Sequence, residues 1–296
     1  SPPPPHPPPP PPPPPPPAPT HRCTTNITNL DRLFYNKDFN PDISGWSVGS
    51  VTTMIDTFAF NSEFNSPLNS WDVSKVESFY ELLYDATAFN QPLNSWSTDS
   101  VTSMRGMFGG ATAFNQPLDS WSTSNVVRMD GMFYYATAFN QPLDSWSTGS
   151  VTSMISMFNG ATAFNQPLDS WSTSSVVYMD AMFEGATSFN QLLGNWSTDN
   201  VRSMSGMFYD TPMNQDLSSW CVVKITSEPD NFGNSNGTNP VWGSCPSAEG
   251  QYPCVTTNAA NGNCTALTDA NINDAVSDTI YFPIYALAKW GDISDW

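Results

Sequence analysis

Large apolar residues return along most of this chain at one fixed interval, with serine, threonine and asparagine crowding the positions between them. The tryptophans mark the interval in steps of 25 residues, with a last step of 24: Trp46, Trp71, Trp96, Trp121, Trp146, Trp171, Trp196 and Trp220. A repeat of this length predicts a solenoid, in which each coil buries its apolar side only against its neighbours.

Two local patterns predict the elements of one coil. The apolar residues at i, i+3, i+4 and i+7 predict one face of a short helix: Met104, Met107, Phe108 and Ala111. Gly109 and Gly110 follow, and we predict that the helix ends there, because glycine readily adopts the left-handed cap conformation. The segment 118–123 then has the spacing L-x-x-W-x-T, which corresponds to the strand spacing of leucine-rich repeats. Each coil is therefore predicted to contain one short parallel strand and one short helix.

Asparagine also recurs in register. It follows a phenylalanine in seven units, and the row continues behind Met213: Asn40, Asn65, Asn90, Asn115, Asn140, Asn165, Asn190 and Asn214. We predict a buried asparagine ladder that bonds the backbone turns of neighbouring coils, and rows of methionine and tryptophan that form the core.

The repeat unit resembles a known family. The unit V-T-S-M-x-x-M-F-x-G-A-T-A-F-N-Q-P-L-x-S-W, most uniform from Val101 to Trp196, is similar to the BspA-like leucine-rich repeats of bacterial surface proteins and of secreted proteins of protists and algae. The resemblance implies a leucine-rich-repeat-like solenoid outside the cell, with adhesive or structural duties and no reaction.

The composition divides the chain into four segments. Residues 1–20 are a proline tract, 21–233 the repeat solenoid, 234–266 a Gly/Asn/Ser-rich loop region with disulfides, and 267–296 a C-terminal helix with a partial repeat that caps the array or docks on another subunit.

The proline tract has its own expected structure and chemistry. Because proline fixes φ and lacks an N–H, the tract is predicted to be a polyproline II rod, either a stiff spacer or a ligand for a proline-binding module. Serine followed by contiguous prolines also resembles extensin-type, hydroxyproline-rich glycoproteins of plant and algal walls. That resemblance implies hydroxylation and O-glycosylation at Pro2, Pro3, Pro4, Pro5, Pro7, Pro8, Pro9, Pro10, Pro11, Pro12, Pro13, Pro14, Pro15, Pro16 and Pro17.

The charge balance limits the classes of partner. The chain has 27 acidic and 9 basic residues, a net charge of -18. Nucleic acid and anionic membrane bind clustered lysine and arginine, so neither is an expected partner. No run of 18 apolar residues occurs, and a membrane span is not expected.

The cysteines indicate an oxidising compartment. Four of the five follow the last regular coil, and their spacing does not suit a metal site. We predict two disulfides among Cys221, Cys245, Cys254 and Cys264, with sequential pairing as the guess among the possible connectivities. Cys23 is then free, bound to another chain or paired with one of the four.

Sugar attachment is the chemistry that the sequence supports best. N-x-[ST] sequons occur at Asn26, Asn195, Asn236 and Asn263, and Asn195 is expected to face solvent beside buried Trp196. The only histidines, His6 and His21, lie in or beside the proline tract, so no Ser-His or Cys-His pair is expected on the scaffold. We therefore predict no catalytic residue, no cofactor, no metal site and no enzymatic activity.

The ends of the array suggest self-assembly. Ile27 begins half a unit without its tryptophan, and the segment from Ile293 to Trp296 repeats the tryptophan half of a unit. Either the chain is an excerpt of a longer array, or the tail of one molecule completes the first coil of the next, which would build a head-to-tail fibre.

Two functions follow from these observations. The first is a secreted structural glycoprotein that forms fibres or cell-wall material from the solenoid and a sugar-bearing proline rod. The alternative is a cell-surface adhesin or recognition module that binds a protein or glycan through one face of the solenoid. A binding face requires a patch where the coils differ, and the near-identity of the coils from Val101 to Trp171 favours the structural role.

Overall fold

The computed structural model describes residues 26–234 and 236–246, and these residues form a stack of coils. Each coil pairs with the next in parallel through one residue: Asn29 with Thr53, Thr53 with Ser78, Ser78 with Ser103, Ser103 with Arg128, Arg128 with Ser153, Ser153 with Tyr178, and Tyr178 with Ser203. A further parallel bridge joins Asp216 and Thr238. Within these two ranges there is no helix, and no strand exceeds a single bridge residue.

The bridge lies in a ten-residue stretch of each coil, which we call the ladder segment: 27–36, 51–60, 76–85, 101–110, 126–135, 151–160, 176–185 and 201–210. Alternate amides there bond to the following coil. The N–H of Gly106 donates to the carbonyl of Asp130 at 2.8 Å, and that of Phe108 to Met132 at 2.9 Å. The intervening amide of Met107 donates within its own coil, to Met104 at 3.2 Å. Each ladder segment is thus a series of turns cross-linked to its neighbour.

The predicted helix is wrong, and backbone conformation explains why. Gly106 and Gly110 have φ of 63° and 69°, and every ladder segment has a pair of such residues four apart. An α-helix needs φ near −60° throughout, and it needs the amides that the ladder donates to the next coil. The apolar spacing identified the buried side chains correctly, because a series of turns buries the same positions as one helical face.

The strand was also predicted in the wrong part of the coil. The segment 118–123 has no bridge and instead turns, with the N–H of Trp121 donating to the carbonyl of Leu118 at 3.1 Å. The parallel pairing between coils is present, but it lies in the ladder segment. The Leu and Trp side chains of 118–123 point into the core all the same, and both are buried.

One continuous apolar core runs through the stack, as the repeat predicted. Methionine, phenylalanine, leucine and tryptophan rows from successive coils are buried in a single cluster. Phe108 lies 5.6 Å from Phe133 with ring planes 6° apart, and Trp96 lies 6.3 Å from Trp121 with planes 2° apart. The predicted stacking of the indole rings is confirmed for these neighbouring coils.

Polar groups inside the stack are satisfied by the adjacent coil. Thr123, which is 1% exposed, donates its hydroxyl to the carbonyl of Ser147 at 3.0 Å, and the same bond recurs from Thr98 to Thr198. The asparagine ladder is also present, since the side-chain oxygen of Asn115 accepts the N–H of Asn140 at 3.0 Å and the amide of Gln141 at 2.9 Å. The asparagines are half-buried or exposed, so the predicted burial of this row is wrong.

The stack extends past its predicted end at residue 233. Ile225 and Phe232 are buried as the last apolar members, and Thr238 bridges to the preceding turn at Asp216. Cys221 and Cys245 are joined by a disulfide across 24 residues. The compact unit ends at Cys245, and a second unit begins at Pro246. The proline tract, Cys23, Cys254, Cys264, Asn263, Ile293 and Trp296 lie outside the described residues.

Candidate functional site

Tyrosine and arginine are confined to the ladder segments. Every member of both residue types in the described ranges lies there: Tyr35, Tyr80, Tyr84, Tyr134, Tyr135, Tyr178, Tyr209, Arg32, Arg105, Arg128 and Arg202. Several are well exposed, including Tyr135 at 50%, Tyr178 at 45% and Tyr209 at 50%. We call the solvent side of the ladder segments the ladder face.

In the coils between residues 86 and 175, the part outside the ladder segment is nearly invariant. Residues 111–125 and 161–175 differ only at the last position, Asn125 against Ser175. The ladder segments 101–110 and 151–160, by contrast, differ at three positions, where Arg105, Gly106 and Gly109 are replaced by Ile, Ser and Asn. Differences between coils are therefore concentrated on one face.

Aromatic rings on the ladder face form two groups, and within each group the rings are in contact. The ring centroid of Phe60 is 5.4 Å from that of Tyr35 and 5.4 Å from that of Tyr84, with planes 70° and 55° apart. Tyr134 and Tyr135 are 4.7 Å apart with planes at 68°. We call Tyr35, Phe60, Tyr84, Tyr134 and Tyr135 the aromatic row. Its steep ring angles differ from the parallel stacking of the core.

Burial and charge affect the titration of this face. Burial is the main reason that the pKa of Tyr84 is raised, with the nearby Tyr134 second. The pKa of Tyr80 is raised chiefly by a hydrogen bond to Glu81 and then by burial. Both phenols therefore remain protonated donors at physiological pH.

A carboxylate beside the aromatic row is poorly satisfied. The Oδ2 of Asp56 lies 3.5 Å from the Nε of Arg32, while its Oδ1 is buried without a hydrogen-bond partner. Burial raises the pKa of Asp56, the charge of Glu81 adds to the effect, and Arg32 opposes it. Arg32 is 61% exposed, so its ion pair is worth little and leaves the carboxylate short of partners.

Aspartates elsewhere on the face hold neighbouring coils in register. Asp130, 7% exposed, accepts hydrogen bonds from Arg128 at 2.6 Å and from the hydroxyl of Ser153 in the next coil. Asp31 likewise accepts the hydroxyl of Thr53 at 2.7 Å and the N–H of Ile55 at 2.8 Å. These carboxylates are structural partners of the ladder.

Two shallow depressions adjoin the ladder segments. The larger, about 340 Å³, is lined by mixed charges that include Arg202, Lys224, Glu228 and Asp230. The smaller is lined by Arg128, Thr152, Ser153, Ile155 and Tyr178. Across 26–234 and 236–246, no three His, Cys, Asp or Glu side chains come together in an arrangement that would hold a metal ion.

The sequon asparagines that the structure describes are all exposed: Asn26, Asn195 and Asn236. Asn195 faces solvent as expected, and its amide donates to Asp169 of the preceding coil. Ile27 is partly buried against the core. In the described part of the chain, no helix is long and apolar enough to cross a membrane.

Sequence reasoning missed the ladder face. The available signal was positional, since tyrosine and arginine occur only within the ten residues that begin at each Val101-type position. The sequence predictions rest on what the repeat units share, whereas this face consists of the positions at which they differ.

The geometry defines a repeat protein of stacked coils with one variable, aromatic face. A family model described as "Mycoplasma protein of unknown function, DUF285" matches residues 20–119, 81–161 and 143–242, and the chain belongs to that family. No curated protein and no solved structure matches the chain.

Proposed function

We propose that the chain is an extracellular recognition module, a leucine-rich-repeat-like solenoid of the BspA type that binds an extended ligand along its ladder face. The observation that carries this proposal is the confinement of every described tyrosine and arginine to that face. Together with tryptophan, these two residue types dominate binding energy at protein interfaces.

The division between constant and variable positions supports recognition over a purely structural role. The positions that recur in every coil, inside the ladder segment and outside it, supply the core and the polar ladders, whereas side chains such as Arg105 and Tyr178 vary without disturbing either. Tyrosine offers a large, rigid contact surface at a low entropic cost on ordering, and glycine, serine and asparagine around it supply adaptable polar contacts.

An extracellular location is part of the proposal. The disulfide between Cys221 and Cys245 suits an oxidising compartment, and the exposed sequons are accessible to glycosylation. Glycopeptide mass spectrometry of the native protein tests this directly at Asn195 and along Pro2 to Pro5, the prolines that follow Ser1. Unmodified asparagine and proline throughout would contradict a glycosylated, secreted protein.

Binding is tested with surface material isolated from the organism that makes the protein. We expect the double variant Tyr84→Ala/Tyr134→Ala to bind the polysaccharide or protein fraction at least about tenfold more weakly than the wild type, since two aromatic anchors are lost. The matched control is Thr112→Ala, an exposed change in the invariant part of the coil. Equal binding by wild type and double variant would end the proposal.

Self-assembly into fibres is a second candidate, favoured by the first described coil. Leu33 is 46% exposed and Phe39 is 41% exposed, an apolar surface beside partly buried Ile27. Such a surface at a coil edge suits addition of another chain. Deletion of Ile293 to Trp296 should abolish fibres in negative-stain images with the circular dichroism spectrum unchanged, and fibres that persist would remove this candidate.

A further inference from the structure

The aromatic row runs along the stack instead of around one coil. Its members are Tyr35 in the first ladder segment, Phe60 in the second, Tyr84 in the third, and Tyr134 and Tyr135 in the fifth, and the fourth has glycine at both matching positions. The rings of Tyr35 and Phe60 meet edge to face, those of Phe60 and Tyr84 lie with their planes 55° apart, and Phe60 is 37% exposed. Such a row is suited to a ligand that lies parallel to the axis of the stack.

Glycines extend the row over the following coils. A side chain at Gly109 would lie 2.6 Å from the ring of Tyr84, and one at Gly160 would lie 2.9 Å from the ring of Tyr135. The rings of Tyr84 and Tyr135 therefore pack against the main chain of the next coil, at positions that have no side chain. With coils about 4.8 Å apart, the row spans about 19 Å from Tyr35 in the first ladder segment to Tyr135 in the fifth.

The row offers hydrogen-bond donors and an unsatisfied acceptor. The phenol hydroxyls of Tyr35, Tyr84 and Tyr134 supply hydrogen-bond donors. Beside them, Asp56 has one buried carboxylate oxygen without a partner, and Glu81 adds further negative charge. A matching ligand has many free carbonyl groups, apolar rings and a basic end.

The chain contains such a ligand. Proline has no N–H, so the carbonyl groups of a polyproline II segment have no internal partner, and its rings pack well against aromatic side chains. About six residues at about 3.1 Å each cover the length of the row, and Pro7 to Pro17 are eleven consecutive prolines. The tract is followed by His21 and Arg22, a basic end that complements Asp56 and Glu81.

We propose that the aromatic row is a docking surface for a polyproline II segment, and that its occupant is the proline tract of the same chain. The tract ends at Pro19, seven residues before the first described coil residue Asn26, where the row also starts. This short connection gives the tract a high effective concentration at the row. The inference rests on the proposed recognition role of the ladder face and adds the chemistry of the ligand.

The experiment is hydroxyl-radical footprinting of two full-length proteins, read by mass spectrometry. One is the natural chain; in the other, Pro7 to Pro17 are replaced by a Gly-Ser segment of equal length, which has no polyproline rod. We expect Tyr84 and Tyr134 to be oxidised several-fold faster in the replaced chain. Tyr178 is the internal control, since it lies at the bridge position of its ladder segment and not in the row, and it should not change.

The outcomes separate the possibilities. Equal oxidation of Tyr84 in the two chains overturns the inference. Protection that disappears when the natural chain is diluted a hundredfold also overturns it, because the occupant would then be a second copy. If the footprints are equal while Tyr84→Ala/Tyr134→Ala still weakens binding to surface material, the recognition function stands and only the assignment of the proline tract fails.

Discussion

The indole Nε1 of Trp121 donates a hydrogen bond to the main-chain carbonyl of Leu93, one coil earlier, at 3.0 Å. The same bond recurs from Trp71 to Trp220, between 2.9 and 3.1 Å. The tryptophan row therefore joins coils through a directed polar bond as well as by ring stacking, which explains why another large apolar residue does not replace it in these coils.

Trp121→Phe should destabilise the array by about 1–3 kcal/mol, because the buried carbonyl of Leu93 loses its donor while most of the apolar contact remains. Urea unfolding followed by circular dichroism measures the loss. Trp46→Phe is the matched control, since Trp46 is only partly buried, and its loss should be smaller. Equal losses at the two sites would show that the indole bond contributes nothing.

The asparagine ladder predicts a difference between two replacements of one side chain. Asn115→Ala removes the acceptor for Asn140 and Gln141 and should cost about 1–2 kcal/mol, whereas Asn115→Asp keeps an acceptor. The hydrogen-bonded carboxylate of Asn115→Asp should have a lowered pKa, so its stabilising effect is present at neutral pH and lost as the pH falls through that pKa. Thermal melts of both variants at pH 7 and pH 3 measure this, and indistinguishable variants at pH 7 would contradict it.

Asp56 should destabilise the fold at neutral pH. Its pKa is raised in the folded protein, mainly by burial, so the charged form is disfavoured there relative to the unfolded chain. Stability should rise as the pH falls through the raised pKa toward the ordinary value of 3.8. Asp56→Asn should therefore raise the melting temperature at pH 7 and have little effect at pH 3.

The asparagine replacement is a clean test because asparagine also tolerates the φ of 53° at this position. Thr52→Ala serves as a neighbouring exposed control in the same ladder segment. A melting temperature that Asp56→Asn lowers at pH 7 would show that the Arg32 ion pair outweighs the cost of burial.

Replacement by alanine should change the stability of the protein in opposite directions at two glycines. Gly233 has a φ of 92°, and an added Cβ would lie 2.3 Å from the backbone of Phe208, so Gly233→Ala should cost more than about 1 kcal/mol. Gly149 is exposed, and the nearest atom to an added Cβ there is 3.9 Å away. Gly149→Ala should stabilise the protein by about 0.4–1 kcal/mol, through the reduced entropy of the unfolded chain. Chemical denaturation of the two variants measures both changes in the free energy of unfolding.

The disulfide should hold the last coil in place. A bridge that closes 24 residues contributes about 3 kcal/mol by its effect on the unfolded chain. In Cys221→Ser/Cys245→Ser, the amide of Val222, which donates to Ser244 at 2.8 Å, should exchange hydrogen faster. The amide of Met129, in the middle of the stack, is the control and should be unchanged. Uniform acceleration at both amides would mean that the array unfolds as one unit.

Some features of the fold are fixed by the sequence alone, because they depend on period and polarity. The interval between Trp46 and Trp71 predicts similar coils in contact, and the family match confirms a repeat protein. The spacing of Met104, Met107 and Phe108 identified core residues, and all three are buried. A residue that recurs at every turn of a stack must meet its own copy, so the asparagine ladder was also predictable.

Only the tertiary structure showed which backbone conformation places these apolar residues in the core. Apolar spacing is the same for a helical face and for a series of turns, and only the positive φ at positions such as Gly106 and the bonds from Gly106 to Asp130 distinguish them. The ladder face also required the structure. Tyr35, Phe60 and Tyr84 are 24 or 25 residues apart in sequence, and they form one row only because the stack places successive coils about 4.8 Å apart.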